Sequence, residues 1–322
     1  RVLDDHIESP ELRAVIGTLW PYLGLPPSQI SFVYFATMLM SYLADGAFYC
    51  CGTFQKFADA LASAVTGAGG EILLRSPVRR IRVDGGHVTG VVLENGQRIA
   101  APQVVSNADL RQTVEELVGT EAFPSRYVSR LGRLQPSMSA FITYLATQLP
   151  LSEQSTSHET FLYSSLDHER SHRTTLDGMP DWLSVTIPTL ADPSLAPAGV
   201  HLMIVTTLLP YAAHDWRSGS EWMVDRMIDR AGQHFRGLRD NILFAEGASP
   251  RTMERYTRNC DGALYGWQIS SNQVGPGRPT NTSPIRGLHL AGHWTQPGAG
   301  IYGVVSSGIR TARSVLGHES DG

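Results

Sequence analysis

The residues of this chain best suited to hold an electron-rich ligand lie near its C-terminal end, in Gly298-Ala299-Gly300-Ile301-Tyr302-Gly303. A short apolar strand ends at Gly292 and is followed by a Pro- and Gly-rich loop. A helix is predicted from near Ile301 to about Leu316. A loop of this kind leaves backbone N–H groups free at a helix N-terminus, with the positive end of the dipole behind them. Glycine at 298, 300 and 303 removes the Cβ atoms that would hold a flat or charged ligand away. Pro297, Gly298, Gly300 and Ile301 are therefore candidate cofactor-binding residues.

The spacing spells G-x-G-x-x-G, but the context is wrong for a dinucleotide fingerprint. That fingerprint needs a strand running straight into the glycines and an acidic residue about 20 positions later on a second strand. Here nineteen residues follow Gly303. The glycines read instead as the C-terminal half of a cofactor site. The rival reading is an ordinary strand–loop–helix whose glycines serve packing.

A second set of chemically suggestive residues is His168-Glu169-Arg170-Ser171-His172, which matches H-E-x-x-H. On a helix the two histidines would share a face and could hold zinc, with the glutamate as base. No apolar stripe accompanies them, and the third ligand would have to be His201 or His214. The segment is expected to be a solvated polar loop, and no metal site is expected. There is no G-x-S-x-G elbow. Ser306-Ser307-Gly308 falls inside the last helix, where small side chains allow close packing.

These groups must be positioned by a chain of 322 residues, long enough for one large or two interleaved domains. A net charge of −4 and a pI near 6.3, with scattered basic residues, give no reason to expect nucleic acid. Cys50, Cys51 and Cys260 cannot build a disulfide framework, so a reducing, cytoplasmic setting fits. The chain opens with Arg1 and shows no signal peptide, which suggests a fragment or a processed or trimmed chain. From Ala14 to Ala44 no residue is charged. Pro26-Pro27 divide this stretch and leave Ser28 to Ala44 as a helix. It is read as buried, as touching a membrane or lining a lipid channel, or as a span of minimal length.

Gly52 to Ala68 reads as an amphipathic helix, with Phe54, Phe57, Ala58, Leu61, Ala62 and Val65 at helical spacing. Strands are predicted at Glu71–Arg75, Val78–Val83, His87–Leu93 and Gln97–Ala100, with hairpin turns at Asp84-Gly85-Gly86 and Glu94-Asn95-Gly96. Gln103 to Asn107 reads as a buried strand before a helix over Leu110–Val118. From Ser137 to Leu209 extended segments predominate, at Phe141–Leu149, Trp182–Ile187 and Val200–Leu208, and suit an antiparallel sheet. Ser218-x-x-Glu221 resembles a capping box for a helix over Glu221–Phe235. Ser249-Pro250 suits the N-cap and N1 positions of another.

In order and spacing, several stretches resemble the rear two-thirds of a flavoprotein family: the phytoene desaturases, carotenoid isomerases and retinol saturases of the flavin amine oxidase-like superfamily. They are Gly46-Ala47-Phe48-Tyr49, Phe57-Ala58-Asp59-Ala60-Leu61, Gly69-Gly70-Glu71, Val91 to Gly96, Val104 to Asp109, Tyr265-Gly266-Trp267 with Arg278-Pro279, and above all Gly287 to Ile301. The resemblance implies FAD as cofactor and a mixed α/β (α+β) fold, in which part of a Rossmann-like FAD/NAD(P)-binding domain is interleaved with an antiparallel-sheet substrate domain. The implied segments are 1–45 (helical, facing substrate or membrane), 46–122 (FAD-binding), 123–283 (substrate) and 284–322 (FAD-binding). It places Pro77 and Val78 beside the adenine, Gly292 and His293 beside the ribityl chain and pyrophosphate, and Gly300, Ile301 and Tyr302 at the flavin pyrimidine ring. No catalytic side chain is implied, because the flavin carries the redox step.

Two departures stand out. The family's Pro-x-Gly-Gly is Cys50-Cys51-Gly52-Thr53 here, and the family's opening βαβ fingerprint is absent from the chain. A preceding segment or a partner chain is expected to supply it. The leading reading is a portion of an FAD-dependent oxidoreductase acting on a hydrophobic polyene or isoprenoid, with peripheral membrane contact through the uncharged stretch. Trp20, Phe32, Tyr34, Phe35, Met38, Met40 and Tyr42 would line its tunnel or dip into the membrane. The alternatives are an amine oxidase-like enzyme and a non-catalytic chain that needs a partner to bind FAD.

Overall fold

The computed structural model describes residues 2–151, 154, 157–217 and 219–317. Two short helices, α1 (Val2–His6) and α2 (Pro10–Gly17), precede Pro26-Pro27. The uncharged stretch then forms α3 (Phe32–Ala44), N-capped by Ser31. Trp20 and Phe35 are buried in the core, while Phe32, Met40 and Tyr42 are exposed. The expectation that all seven apolar residues line one surface therefore fails for Trp20 and Phe35. Among the described residues, no helix is long and apolar enough to cross a membrane.

Helix α4 (Thr53–Gly67) forms where the helical spacing predicts it, yet none of its residues is buried. Phe54, Phe57, Leu61 and Val65 form an exposed apolar stripe. The strand expected at Glu71–Arg75 is absent; the segment is a loop in which Ile72, Leu73 and Leu74 are exposed. A strand is defined by its ladder, and among the described residues none pairs with this segment.

The next elements follow the predicted order. Strands β1 (Val78–Asp84), β2 (His87–Leu93) and β3 (Arg98–Ala100) form an antiparallel meander. After β4 (Val104–Ser106) comes α5 (Leu110–Gln112), which continues as a π-helical turn over Thr113–Val118 and packs beneath the meander. Buried Asp109 starts α5 by accepting from the Arg111 amide at 2.7 Å, and its other oxygen accepts from the Cys260 amide at 2.7 Å. Helix α6 (Ser125–Leu131) leads to the larger sheet.

That sheet is antiparallel and has the order β6-β7-β8-β5-β9. Its strands are β5 (Ser139–Thr147), β6 (Glu159–Tyr163), β7 (Trp182–Thr186), β8 (His201–Leu209) and β9 (Ile242–Ala248). Helices α7 (His168–Leu176), α8 (Pro188–Ala191), α9 (Glu221–Gly232) and α10 (Pro250–Thr257) connect and flank them. One core joins the sheet to α9, with Phe141, Val185, Val205, Met223, Met227 and Phe235 at its centre. Ser218 of the expected capping box lies outside the described residues. Ser249 and Pro250 take the expected cap positions, and the Ser249 amide donates to Thr252 Oγ1 at 3.1 Å.

Finally β10 (Leu288–Leu290) pairs in parallel with β4, and α11 (Ile301–Val315) closes the described chain. A second core gathers Ile81 and Val88 of the meander, Leu110 and Val114, Leu288 and Leu290, and Trp267 and Trp294. It seats the meander, the parallel pair and the turn after β10 on common packing.

Thr53, which follows Gly52 (φ +75°), has φ of +82° itself. A β-branched residue there is strained, at a cost of about 1–2 kcal/mol for the left-handed region. Its Oγ1 recovers part of this by accepting from the Gln55 amide at 3.2 Å. Thr53→Gly is expected to raise the unfolding free energy by about 0.5–1 kcal/mol. Urea denaturation with an unchanged m-value tests this, and a lower midpoint would refute it.

Candidate functional site

The turn after β10 is fixed from behind by buried polar groups. Ser307, one turn and a half into α11, accepts from the Gly292 amide at 2.9 Å and shares a hydrogen bond with Thr295 Oγ1 at 2.9 Å. Asn281 Nδ2 donates to Ser307 Oγ at 2.8 Å, and Thr311 Oγ1 donates to the Leu290 carbonyl at 2.8 Å. Ser307 is thus a hub for the turn, a role beyond the close packing expected of it. Gly292 has φ of +93°, and a Cβ there would lie 2.1 Å from Asn107 Oδ1. The left-handed conformation favours glycine, and a Cβ would also have to push the Asn107 amide aside.

From below, the turn rests on Arg278. This guanidinium is fully buried. It donates to the carbonyls of His293 (2.9 Å), Tyr265 (3.0 Å), Trp267 (3.0 Å) and Gln273 (3.3 Å). Burial lowers its pKa to about 10, so it remains charged at neutral pH.

His293 is held neutral. Asn259 Nδ2 faces its Nε2 at 3.3 Å, while Asn259 Oδ1 accepts from Trp294 Nε1 at 3.2 Å. With the amide oriented in this way, Nε2 of His293 is an acceptor and carries no proton. Burial first, and the Arg278 charge second, push the ring pKa down to about 4.

The three loop glycines divide. A Cβ at Gly298 would lie 2.7 Å from Tyr34 Oη, and one at Gly303 would lie 2.6 Å from the Gly298 carbonyl. Both glycines therefore serve internal packing, contrary to the expectation that all three admit a ligand. Gly300 (φ +82°) has open space where its Cβ would be. Ile301 and Tyr302 are exposed beside it. Among the described residues, the amides of Ile301, Tyr302 and Gly303 have no protein acceptor. The Ile301 and Tyr302 N–H groups thus stand at the exposed start of a fifteen-residue helix, while Gly303 is buried.

Pro77 immediately precedes β1 and Val78 begins it. The Pro77 carbonyl accepts from the Glu94 amide at 2.9 Å, and Val78 packs against the core that holds Trp294. Pro297 lies half-buried between Gln296 and Gly298. The candidates at 77–78 and 292–301 thus sit on one packed unit. Local pattern does not single out Asn259 and Asn281, whose side-chain partners Trp294 and Ser307 lie 35 and 26 residues on, and Arg278 stands out only through the resemblance.

Helix α3 is tied to this turn. Tyr34 Oη donates to the Ala299 carbonyl at 3.4 Å, and the inner face of α3 packs against Ala299 and Val274. Its outer face borders an open concavity of about 520 Å³, lined by Phe32, Val33, Ala36, Met40 and Ala44 together with the polar Thr37 and Ser41, with Asp45 as its one charged residue.

The H-E-x-x-H residues have a different role from either expectation. They form α7, not a loop, and its buried side is made of His168, Ser171, His172 and Thr175 in place of an apolar stripe. His168 Nε2 donates to the Ala14 carbonyl at 2.7 Å. Glu169 accepts from the Ser28 amide at 2.9 Å and from its hydroxyl at 2.8 Å. His172 meets Trp20 edge-on. The motif fastens the N-terminal helices to the large sheet. Among the described residues no group of His, Cys, Asp and Glu could hold a metal.

The family model described as flavin-containing amine oxidoreductase matches residues 2–316. The all-trans-zeta-carotene desaturase of Myxococcus xanthus is 26% identical over 329 residues, covering 95% of this chain and 59% of that protein. The chloroplastic prolycopene isomerase of Daucus carota is 29% identical over 281 residues, covering 84% of this chain and 44% of that protein. The chain thus spans about half of the length of these relatives. The crystal structure of an oxidoreductase from Methanosarcina mazei superposes with a TM-score of 0.69 at 21% identity, covering 98% of this chain and 67% of that one, a likeness of fold.

Two expectations follow for these side chains. The unfolded His293 ring titrates near 6.5, the folded one at about 4, so the unfolded chain binds the extra proton between those values. Stability should fall as pH drops through that window, by on the order of 3 kcal/mol from this group. His293→Gln should flatten the decline seen in denaturation midpoints, and an unchanged slope would refute the assignment. His168→Ala should cost about 1–3 kcal/mol by orphaning the Ala14 carbonyl. A metal chelator should leave the melting curve of the unaltered protein where it was, and a chelator-induced drop would restore the metal reading.

Proposed function

The chain belongs to the flavin-containing amine oxidoreductase family, and on that premise we propose that it is the rear part of an FAD-dependent oxidoreductase acting on a hydrophobic polyene or related isoprenoid. The observation that carries this reading is the helix start at Ile301, whose first amides stand on a turn locked by Ser307 and Arg278. These donors are oriented before any ligand arrives, and such preorganised dipoles suit the electron-rich edge of an isoalloxazine. Gly300 lets the ring approach the backbone. Gly292 and His293 lie beside the ribityl chain and pyrophosphate, with His293 neutral and accepting. Pro77 and Val78 meet the adenine. FAD supplies the redox chemistry when bound. The residues of this chain bind it, orient it and bring the apolar face of α3 alongside.

A polyene is favoured over an amine by two features. The α3 concavity is mainly apolar, with the hydroxyls of Thr37 and Ser41 and the single charge of Asp45, and is tethered to the turn by Tyr34. An amine site would place an aromatic cage before the flavin. The aromatic pair nearest the turn, Trp267 and Trp294, is instead buried edge-to-face in the core at 4.8 Å. Desaturation, saturation and isomerisation of a polyene all fit this surface.

The remaining cofactor contacts come from a fingerprint-bearing βαβ segment or partner chain. Its docking surface is the apolar stripe of α4, Val105 on β4, and Ile301, Val305 and Ile309 on α11, all exposed. Parallel sheets are otherwise buried on both faces, and a lone pair of three-residue parallel strands such as β4 and β10 would be exceptional. The same uncharged face of α3 provides peripheral contact with a membrane from which a polyene would be drawn.

FAD titration followed by flavin fluorescence tests this reading. The chain alone should retain FAD weakly and below stoichiometry. Ile301→Asp should weaken binding further, at least tenfold, because it sets a carboxylate against the flavin edge. The same change sits at a helix N-terminus, where a negative charge is favourable by about 0.3–1 kcal/mol, so the fold should not suffer. Tight stoichiometric FAD on the chain alone would sink the division of contacts. Undiminished binding by the variant would sink the placement of the ring.

A further inference from the structure

We propose that the outer face of the meander is a second site, one that binds a phosphate-bearing anion. Arg79, Arg80 and Arg82 of β1 and Arg98 of β3 line one open concavity of about 500 Å³, together with Val83, Val92 and Gly96. The ladder explains why they converge. Arg80 lies opposite Val92, and Val92 lies opposite Arg98, so two arginines flank one valine across three strands. Arg82, two residues beyond Arg80, points to the same side. The register shifts between Val78 and Arg80, leaving Arg79 as the extra residue of a bulge. A bulge re-aims a side chain, and here it adds a fourth guanidinium to the face. Val92, at the centre of this outward row, is only 9% exposed, as expected where long arginine stems lie across it.

No carboxylate lines the concavity. Glu94, just past β2, is engaged by Arg258 at 3.6 Å, and Asp84 stands at the far end of β1 beyond Arg82. Among the described residues, the four arginine side chains make no ion pair or hydrogen bond of their own. Strand spacing puts Arg80 and Arg98 about 10 Å apart and Arg80 and Arg82 about 7 Å apart. These separations lie within roughly one Debye length at physiological salt, so the charges repel one another. Their charges add nothing to the fold, since Ile81 and Val88 on the inner face hold the meander to its core and only the apolar stems of the arginines pack over Val92. A surface serving only solubility would intersperse charges of both signs. Guanidinium forks match phosphate oxygens in pairs, and a ligand with several such oxygens would remove the repulsion.

Such oxygens come from a soluble phosphate compound or from headgroups at an anionic bilayer, and the test separates the two. Inorganic pyrophosphate is titrated into the protein by calorimetry, and vesicles of phosphatidylglycerol or phosphatidylcholine are pelleted with it. Each is repeated with Arg80→Gln/Arg82→Gln and with Arg126→Gln, an exposed control on α6. Each lost arginine should weaken binding about fivefold, the double variant roughly thirtyfold, and the control not at all. Pyrophosphate binding identifies a soluble ligand. Pelleting with phosphatidylglycerol alone identifies the bilayer. No interaction of the unaltered protein in either arm overturns the proposal, as does equal binding by the double variant. This face lies opposite the one packed on the core with Trp294, so its failure would leave the flavin reading standing.

Discussion

A buried guanidinium with no carboxylate partner is the constraint on which this architecture turns. Removing Arg278 from water costs several kcal/mol, and among the described residues no carboxylate pairs with it. The compensation comes from four carbonyls that belong to two chain segments far apart in function: 265–273, leading out of the large sheet, and His293, in the turn after β10. Because a charged donor must have all its neighbours in place or none, these segments are forced into a single arrangement. The aromatic residues follow. Trp267 and Trp294 close edge-to-face over the same junction, and Asn259 links Trp294 to His293.

The consequence is a turn that is rigid where it touches protein and open where it does not. Ser307, Asn281 and Thr311 satisfy its rear, Arg278 its underside, and Tyr34 its flank through Ala299. Among the described residues, the amides at the exposed start of α11 are left without a protein acceptor. Donors fixed before a ligand arrives need no reorganisation when charge develops near them. The charge on Arg278 and the neutrality of His293 belong to the same logic. A second buried cation beside the first would be repelled, and the ring is held in the state that can accept a hydrogen bond.

Much of this organisation is legible in local pattern. The alternation of the meander, the helical spacing of 52–68 and the helix beginning at Ile301 all follow from periods of two or 3.6 residues. Pattern fails where the partner is distant. Glu71–Arg75 has strand composition but no described neighbour to pair with. Helix α7 is hidden because its buried face is built from His168, Ser171, His172 and Thr175, and His168, His172 and Thr175 meet the Ala14 carbonyl, Trp20 and Trp182, all outside the motif. β9 is mostly exposed along its length and has no clear alternation to read. Gly298 and Gly303 look like concessions to a ligand, yet their space is taken by Tyr34 and by the loop itself. Arg278 is visible only through the family resemblance and Asn281 not at all, since Arg278 binds main chain and Asn281 binds a hydroxyl far along the chain.

The length of α3 sets a further limit on the proposed substrate. Thirteen residues at about 1.5 Å each give a helix of roughly 20 Å, and its uncharged outer face runs the whole way. An extended polyene lying along it meets Val33, Ala36 and Met40 in succession, and the Thr37 and Ser41 hydroxyls between them find no hydrogen-bonding partner on a hydrocarbon. Apolar burial is non-directional, so such a surface holds a chain without choosing which bond lies at the turn. Selection of the reacting bond must then come from the ends of the site, where Asp45 stands on one side and the Tyr34–Ala299 contact on the other. A shorter or branched isoprenoid would slide, whereas one that reaches both ends is held in place.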